Sequence, residues 1–117
     1  MPTSATSTPR RGGIRRSDEF RSILRQGGRL IGERVVLYAR PSGMRARAGF
    51  VCGRAVGNAV DRNRAKRLLR EAWRALAEAA VRFDVVFVAR PEIRGAELRE
   101  VQEDMERVLR SAGVIRP

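Results

Sequence analysis

Residues 61–73 constrain the fold most, because apolar and basic side chains recur there at helical spacing. An α-helix turns by about 100° per residue, so residues three or four apart share a face. Ala65, Leu68, Leu69, Ala72 and Leu76 form an apolar row, and Arg62, Lys66, Arg70 and Arg74 form a basic row flanked by Arg67. The stretch therefore predicts a helix that packs one side on a core and presents another side to an anion.

Length and composition limit what surrounds this helix. The chain has 117 residues, enough for one domain with a buried core, and its net charge of +12 is typical of nucleic-acid binders. It has no histidine, which excludes Ser/His/Asp catalysis and histidine metal sites. The single cysteine, Cys52, fits a reducing compartment. Without an apolar run of membrane length or a signal peptide, we expect a cytoplasmic location.

The chain divides into a flexible basic arm (residues 1–16), one folded domain (residues 17–113) and a short tail (residues 114–117). The arm either settles on phosphates or is an untuned terminus. The predicted order of elements is α-β-β-α-β-α, at residues 18–26, 33–40, 47–52, 58–81, 83–89 and 96–111, with an optional short strand near 29–31. The strands at 33–40 and 47–52 are expected to pair as an antiparallel hairpin. This order predicts an α+β sandwich with a sheet of three or four strands.

Three finer patterns concern two of the strands and the last helix. In the first long strand, Val35, Leu37 and Ala39 alternate with Arg34, Val36, Tyr38 and Arg40, so the two sets are expected on opposite faces. The strand at residues 83–89 is the most hydrophobic of the chain, as in strands buried on both faces. The last helix is expected to expose an acidic face formed by Glu97, Glu100, Glu103, Asp104 and Glu106.

The basic row of the central helix has three interpretations. Asn58 is expected to cap this helix and to form a capping box with Asp61. A merely solvated face is disfavoured, because Asp61 is held at this cap while Glu71 and Glu78 lie away from the row. A DNA recognition helix usually follows a tight helix-turn-helix, whereas here a strand and a loop come first. Contact with an RNA backbone by a helix on a small sheet fits best.

The residues around this helix resemble a known family. Its pattern is Gly-Asn-Ala-Val, a variable residue, Arg-Asn-Arg, a variable residue, Lys-Arg, and an Arg one turn on; residues 57–70 meet every fixed position. The pattern is similar to the signature of the protein subunit of bacterial ribonuclease P. Phe20 early in the first helix, the Val-Val-Leu-Tyr strand at 35–38, Gly49 and residues 84–90 agree with it, so that the resemblance covers residues 15–112.

The resemblance implies a function for the chain. Ribonuclease P is a ribonucleoprotein endoribonuclease that removes the 5′ leader from precursor tRNA and leaves a 5′ phosphate. Its RNA subunit performs the chemistry with magnesium ions held mainly by that RNA and the substrate, so no catalytic residue is expected here. The protein binds the catalytic RNA and the leader, broadens substrate range and supports metal binding. The implied partners are these two RNAs, with no DNA and no membrane.

The resemblance also assigns a fold and sites. The fold is ribosomal protein S5 domain 2-like, with a left-handed β-α-β crossover. The implied catalytic-RNA-binding residues are Arg54, Asn58, Arg62, Asn63, Arg64, Lys66, Arg67 and Arg70. The implied leader-binding residues are Phe20, Arg34, Val36 and Tyr38, in a cleft between the first helix and the sheet; a plain core contact is the alternative for Phe20.

Two departures from the family pattern weaken the expected leader contacts. Relatives commonly have Ser-Lys-Lys before Val-Gly-Asn, where this chain has Gly53, Arg54 and Ala55, so one basic contact is missing. Leu24 occupies a position that is often aromatic, so the cleft is expected to rely less on stacking.

Two other functions compete with this interpretation. One is a ribosomal or other structural RNA-binding protein. The other is an autonomous nuclease with a metal on Asp84, Glu92 and the acids of the last helix, for which an exposed acidic helix face is the better explanation.

Overall fold

The computed structural model describes residues 17–42, 45–80 and 82–115. The predicted basic arm, residues 1–16, lies outside these ranges. The helices are α1 (Ser17–Gln26), α2 (Ala59–Leu76) and α3 (Leu98–Ser111), and the strands are β1 (Gly28–Ile31), β2 (Val35–Pro41), β3 (Arg47–Val51) and β4 (Phe83–Ala89). The optional strand is therefore present. Short 3-10 helices follow β3, α2 and β4, so α2 ends earlier than the predicted residue 81.

The strands form one mixed sheet in the order β1-β2-β4-β3. β4 pairs with β2 in antiparallel and with β3 in parallel orientation, so the predicted hairpin between β2 and β3 is wrong. β4 takes the central position because it is apolar on both faces, and five of its seven residues are buried. The α+β class is confirmed. β3, α2 and β4 form the expected β-α-β unit, whose left hand stays a prediction.

The core lies on the sheet face covered by α2 and α3. α2 contributes Ala65, Leu69, Ala72 and Leu76, all buried, as its apolar row predicts. Trp73 of α2 packs against Phe87 at the centre of β4, with ring centroids 6.1 Å apart, and Phe50 of β3 stacks beside Phe87 at 6.2 Å. Burial of each large side chain contributes about 1.5–3 kcal/mol, so this contact fixes α2 on the sheet.

The chain end also belongs to this core. Val114 and Ile115 are buried, and Ile115 forms a β-bridge with Ala80. Residues 114 and 115, assigned above to the short tail, therefore pack against the same core. Gly113 has a positive φ of 82°, which lets the chain leave α3 and fold these two apolar side chains back onto the core.

Asp104 corrects the prediction for α3, because it is buried and does not belong to an exposed acidic face. Its carboxylate accepts hydrogen bonds from the backbone N–H groups of Glu33, at 3.1 Å, and Arg34, at 2.9 Å, and from the side chain of Arg107. These bonds tie the turn between β1 and β2 to α3. A Cβ at Gly32 would lie 2.7 Å from an oxygen of Asp104, so this turn needs glycine.

We predict that Asp104→Asn lowers the free energy of unfolding by about 1–3 kcal/mol, because the amide cannot accept both backbone N–H groups. Urea unfolding measures the loss. Glu103→Gln, next to it and exposed, is the matched control and should change stability by less than about 0.5 kcal/mol. Equal effects of the two variants would contradict a structural role for Asp104.

Candidate nucleic-acid interface

The sheet face opposite the core carries three rows of side chains. Residues paired across strands point to the same face, so the strand register defines the rows. The charged row is Arg40, Asp84 and Arg47; the middle row is Arg29, Tyr38, Val86 and Gly49; the apolar row is Ile31, Val36, Val88 and Val51. Along the strand direction, this face therefore changes from a charged row through a mixed row to an apolar row.

Helix α1 covers the inner part of the middle row, at Val86 and Gly49, and leaves Arg29 on the edge strand exposed. Ile23 of α1 lies on Val86, and both are fully buried. A Cβ on Gly49 would overlap the ring of Phe20, so the bare glycine backbone is what lets α1 lie this close. Phe20 and Tyr38 both pack beside Ile23 and Val86, and their role in leader binding stays a prediction. Phe20 is only partly exposed, and part of its ring serves the helix–sheet contact.

The charged row is bound to α1 by ion pairs. Arg47 donates two hydrogen bonds of 3.0 Å to Asp84, which is 3% exposed, and a third of 3.1 Å to Glu19 of α1. Arg40 pairs with Asp84 at 3.5 Å and donates to the hydroxyl of Ser22. The hydrogen bond to Asp84 raises the pKa of Arg47 although burial opposes this. These arginines are therefore already neutralised by acids.

The apolar row remains open beside α1 and forms the floor of a cleft. Val36, Val51 and Val88 are half-buried, and Ile31 on the edge strand is 62% exposed. Arg21 follows Glu19 by two residues, about 200° around the helix, so it lies on the flank of α1 that faces this open side. The predicted leader residues Val36 and Tyr38 belong to the cleft.

Arg34 does not lie with them. It precedes β2, and its guanidinium pairs with Glu33 at 3.2 Å and with Glu100 of α3 at 3.5 Å. Because α3 packs on the core face, Arg34 is directed away from the cleft. The period-two pattern failed here because the strand begins only at Val35.

At the start of α2, Asn58 and Asp61 form the predicted capping box. The Asn58 side chain accepts from the Asp61 N–H at 2.9 Å, and the Asp61 carboxylate accepts from the Asn58 N–H at 3.2 Å. Gly57 before them has a φ of 140°, which favours glycine. The cap occupies the oxygen of the Asn58 side chain, so the NH2 group of that side chain is the part left to donate a hydrogen bond to a ligand.

The predicted RNA-binding residues in α2 and in the short 3-10 helix before it (Arg54–Val56) divide into two groups. Arg62 donates to the Gly57 carbonyl at 2.9 Å, and Arg64 donates to the Ala96 carbonyl before α3 at 2.8 Å, so both also hold the fold. Within the described ranges, the second group makes no side-chain hydrogen bond or ion pair: Arg54, Asn63, Lys66, Arg67 and Arg70. This second group is available to bind an anion.

The cleft and the basic row of α2 meet at the end of β3. Val51 closes the apolar row, and Cys52 follows it. Burial raises the pKa of the Cys52 thiol, while the positive charges of Lys66 and Arg70 lower it. Cys52 packs against the core that α2 covers, so the basic row of α2 and the cleft lie on opposite sides of the same strand end.

Sequence reasoning missed Arg94, which lies beside α2 although the two are far apart along the chain. A hollow of about 350 Å³ separates the first turns of α2 from the turn after β4; its lining is Asp61, Arg64, Ala65, Ile93, Arg94 and Gly95. Arg94 is 60% exposed and lies 3.9 Å from the Asp61 carboxylate. It adds a cation next to the basic row.

Comparison with known proteins identifies the family of the chain. The sequence model of the family described as Ribonuclease P matches residues 8–113. The chain belongs to the ribonuclease P protein family. It is 39% identical over 105 residues to the ribonuclease P protein component of Acidothermus cellulolyticus, covering 86% of this chain and 88% of that protein. It is 34% identical over 99 residues to that of Caldanaerobacter subterraneus, covering 83% and 85%.

Solved structures of the family have the same fold. The RNase P protein of Staphylococcus aureus superposes with a TM-score of 0.81 at 25% identity, over 91% of this chain and 99% of that one. The RNase P protein of Thermotoga maritima gives a TM-score of 0.77 at 29% identity, over 86% and 97%. The family resemblance drawn from residues 57–70 is thereby confirmed. In the described part of the chain, no helix is long and apolar enough to span a membrane.

We predict that Gly49→Ala destabilises the protein by about 1–3 kcal/mol and loosens α1, because the new methyl group displaces the Phe20 ring. Thermal unfolding and amide hydrogen exchange of α1 measure the two effects. Gly53→Ala is the control, since a Cβ there meets nothing within 4 Å. Unchanged protection of α1 in the Gly49 variant would contradict the packing described.

Proposed function

We propose that the chain acts in ribonuclease P as the protein subunit that binds two RNAs at once. The cations on α2 dock on the catalytic RNA, and the cleft between α1 and the sheet takes the 5′ leader of precursor tRNA. The observation that carries this proposal is the second group defined above, in and just before α2: five polar or basic residues that have no side-chain partner in the described ranges.

The chemistry of cleavage is assigned to the RNA subunit. The two buried carboxylates do not fit a resident magnesium ion, because Asp84 lies between two guanidinium groups and Asp104 accepts backbone and arginine hydrogen bonds. No cluster of three metal-binding side chains occurs within residues 17–42, 45–80 and 82–115. Magnesium ions are therefore proposed to be held mainly by the RNA subunit and the substrate, which disfavours an autonomous nuclease.

The deciding experiment is reconstitution. The purified protein should restore cleavage of precursor tRNA by the cognate catalytic RNA at low magnesium, and should not cleave when the RNA is omitted. Robust metal-dependent cleavage by the protein without RNA would overturn the proposal. Tight binding to the catalytic RNA without any gain in cleavage would favour the alternative, a structural RNA-binding protein.

Arg67→Ala and Arg70→Ala are each predicted to weaken binding to the catalytic RNA about tenfold, the equivalent of roughly 1.4 kcal/mol for one charge-assisted contact. Arg99→Ala is the matched control, because Arg99 is exposed on α3 and has no partner in the described ranges. Filter binding at several salt concentrations measures affinity and its salt dependence. Equal losses in all three variants would indicate nonspecific charge.

Tyr38→Ala is predicted to weaken binding of precursor tRNA several-fold while leaving mature tRNA unaffected, because stacking of a base on a ring contributes about 1–3 kcal/mol without sequence preference. Affinities of the reconstituted enzyme for the two RNAs measure the difference. An equal loss for both would remove Tyr38 from the leader site.

A further inference from the structure

The edge strand β1 extends the leader cleft beyond the residues that the family pattern marks. Register places Arg29 opposite Tyr38 and Ile31 opposite Val36. Leu30 between them packs against the core, so Arg29 and Ile31 face the cleft side of the sheet. Both are exposed, and Ile31 is one of the three exposed large apolar residues in the described ranges.

Charge distinguishes Arg29 from the other arginines of this sheet face. Arg40 and Arg47 share Asp84, and Arg47 also binds Glu19. Arg29 makes no ion pair or side-chain hydrogen bond with any described residue. On the described part of this sheet face, Arg29 is therefore the one cation without an acidic partner. It lies next to the aromatic ring of Tyr38. A free guanidinium beside a partly exposed ring suits a phosphate and the base attached to it.

We propose that β1 is the distal end of the leader site, where Arg29 binds a backbone phosphate and Ile31 contacts a base or sugar. This inference rests on the proposed function. It gives the leader a direction: nucleotides next to the cleavage site lie near β3 and α2, where the catalytic RNA docks, and nucleotides further 5′ cross the apolar row towards β1.

The sheet sets the leader length at which Arg29 is reached. From β3 to β1 there are three strand spacings, about 14 Å in total. At about 3.4 Å per stacked nucleotide, this crossing takes roughly four nucleotides. Arg29 therefore contributes only to substrates whose leader is longer than that, whereas Tyr38 is met earlier on the path.

The test uses the chain reconstituted with its catalytic RNA and two precursor tRNAs, with leaders of about two and about eight nucleotides, on either side of the crossing length. Cleavage at limiting enzyme measures kcat/KM. Arg29→Ala should lower kcat/KM for the long leader about fivefold and leave the short leader within about twofold, with a shallower salt dependence for the long leader only. Arg29→Lys should restore most of the loss, and Ile31→Thr should give a smaller loss with the same length dependence.

Controls separate this inference from the proposed function. Arg99→Ala should change neither substrate, and thermal unfolding checks that each variant is folded. Equal loss for both leaders, or no loss for either, with Arg29→Ala would overturn the role of β1. If Tyr38→Ala still impairs the long leader in that case, the leader cleft stands and only its distal end is wrong. If Tyr38→Ala has no leader-dependent effect either, the proposed leader site itself falls.

Discussion

The ion pair between Arg47 and Asp84 holds together the parts of the molecule that form the cleft. Asp84 lies at the start of the central strand, and Arg47 lies at the start of the parallel strand beside it. Arg47 also binds Glu19, so a short helix of ten residues is fixed across three strands. An isolated helix of this length is marginal in water, so α1 depends on this pair, on Ile23 and on the Phe20–Gly49 contact. Without these contacts, α1 would not form the second side of the cleft.

The same pair explains the sheet order that the sequence did not predict. The strands at residues 35–41 and 47–51 are neighbours in the chain, and a hairpin is the default connection. The apolar strand β4 instead lies between them, where both of its faces are buried and Asp84 meets Arg40 on one side and Arg47 on the other. A buried carboxylate is costly unless it is paired, so the two arginines require β4 at the centre. These are contacts between distant residues, which periodicity does not reveal.

The features that could be predicted from the sequence are those that depend on residues close together in the chain. The two faces of α2, its capping box and the alternation in β2 depend on residues a few positions apart, and all three were predicted correctly. Asp104 and Arg34 were misplaced for the opposite reason. Their positions follow from a contact between the turn after β1 and α3, about 70 residues away, as their hydrogen bond shows. Arg29 and Arg94 were overlooked because their surroundings exist only in the folded chain. The family pattern was recognisable because residues 57–70 form one continuous stretch of the chain.

Arginines that bind other groups of the protein and arginines that do not have different roles in this strongly basic chain. Arg34, Arg40, Arg47, Arg62, Arg64, Arg90 and Arg107 bind acids, the Ser22 hydroxyl or backbone carbonyls of the protein itself. A guanidinium satisfies several acceptors at once, so a small domain with few aromatic residues can use arginine to join its elements. The net charge alone therefore overstates the surface that is left to bind an anion. Arginines without protein partners mark that surface better: Arg29 on the described part of the cleft face, and Arg67 and Arg70 on α2. In the leader site proposed above, an RNA strand bound to the catalytic RNA at α2 would reach Arg29 only after it has crossed the sheet.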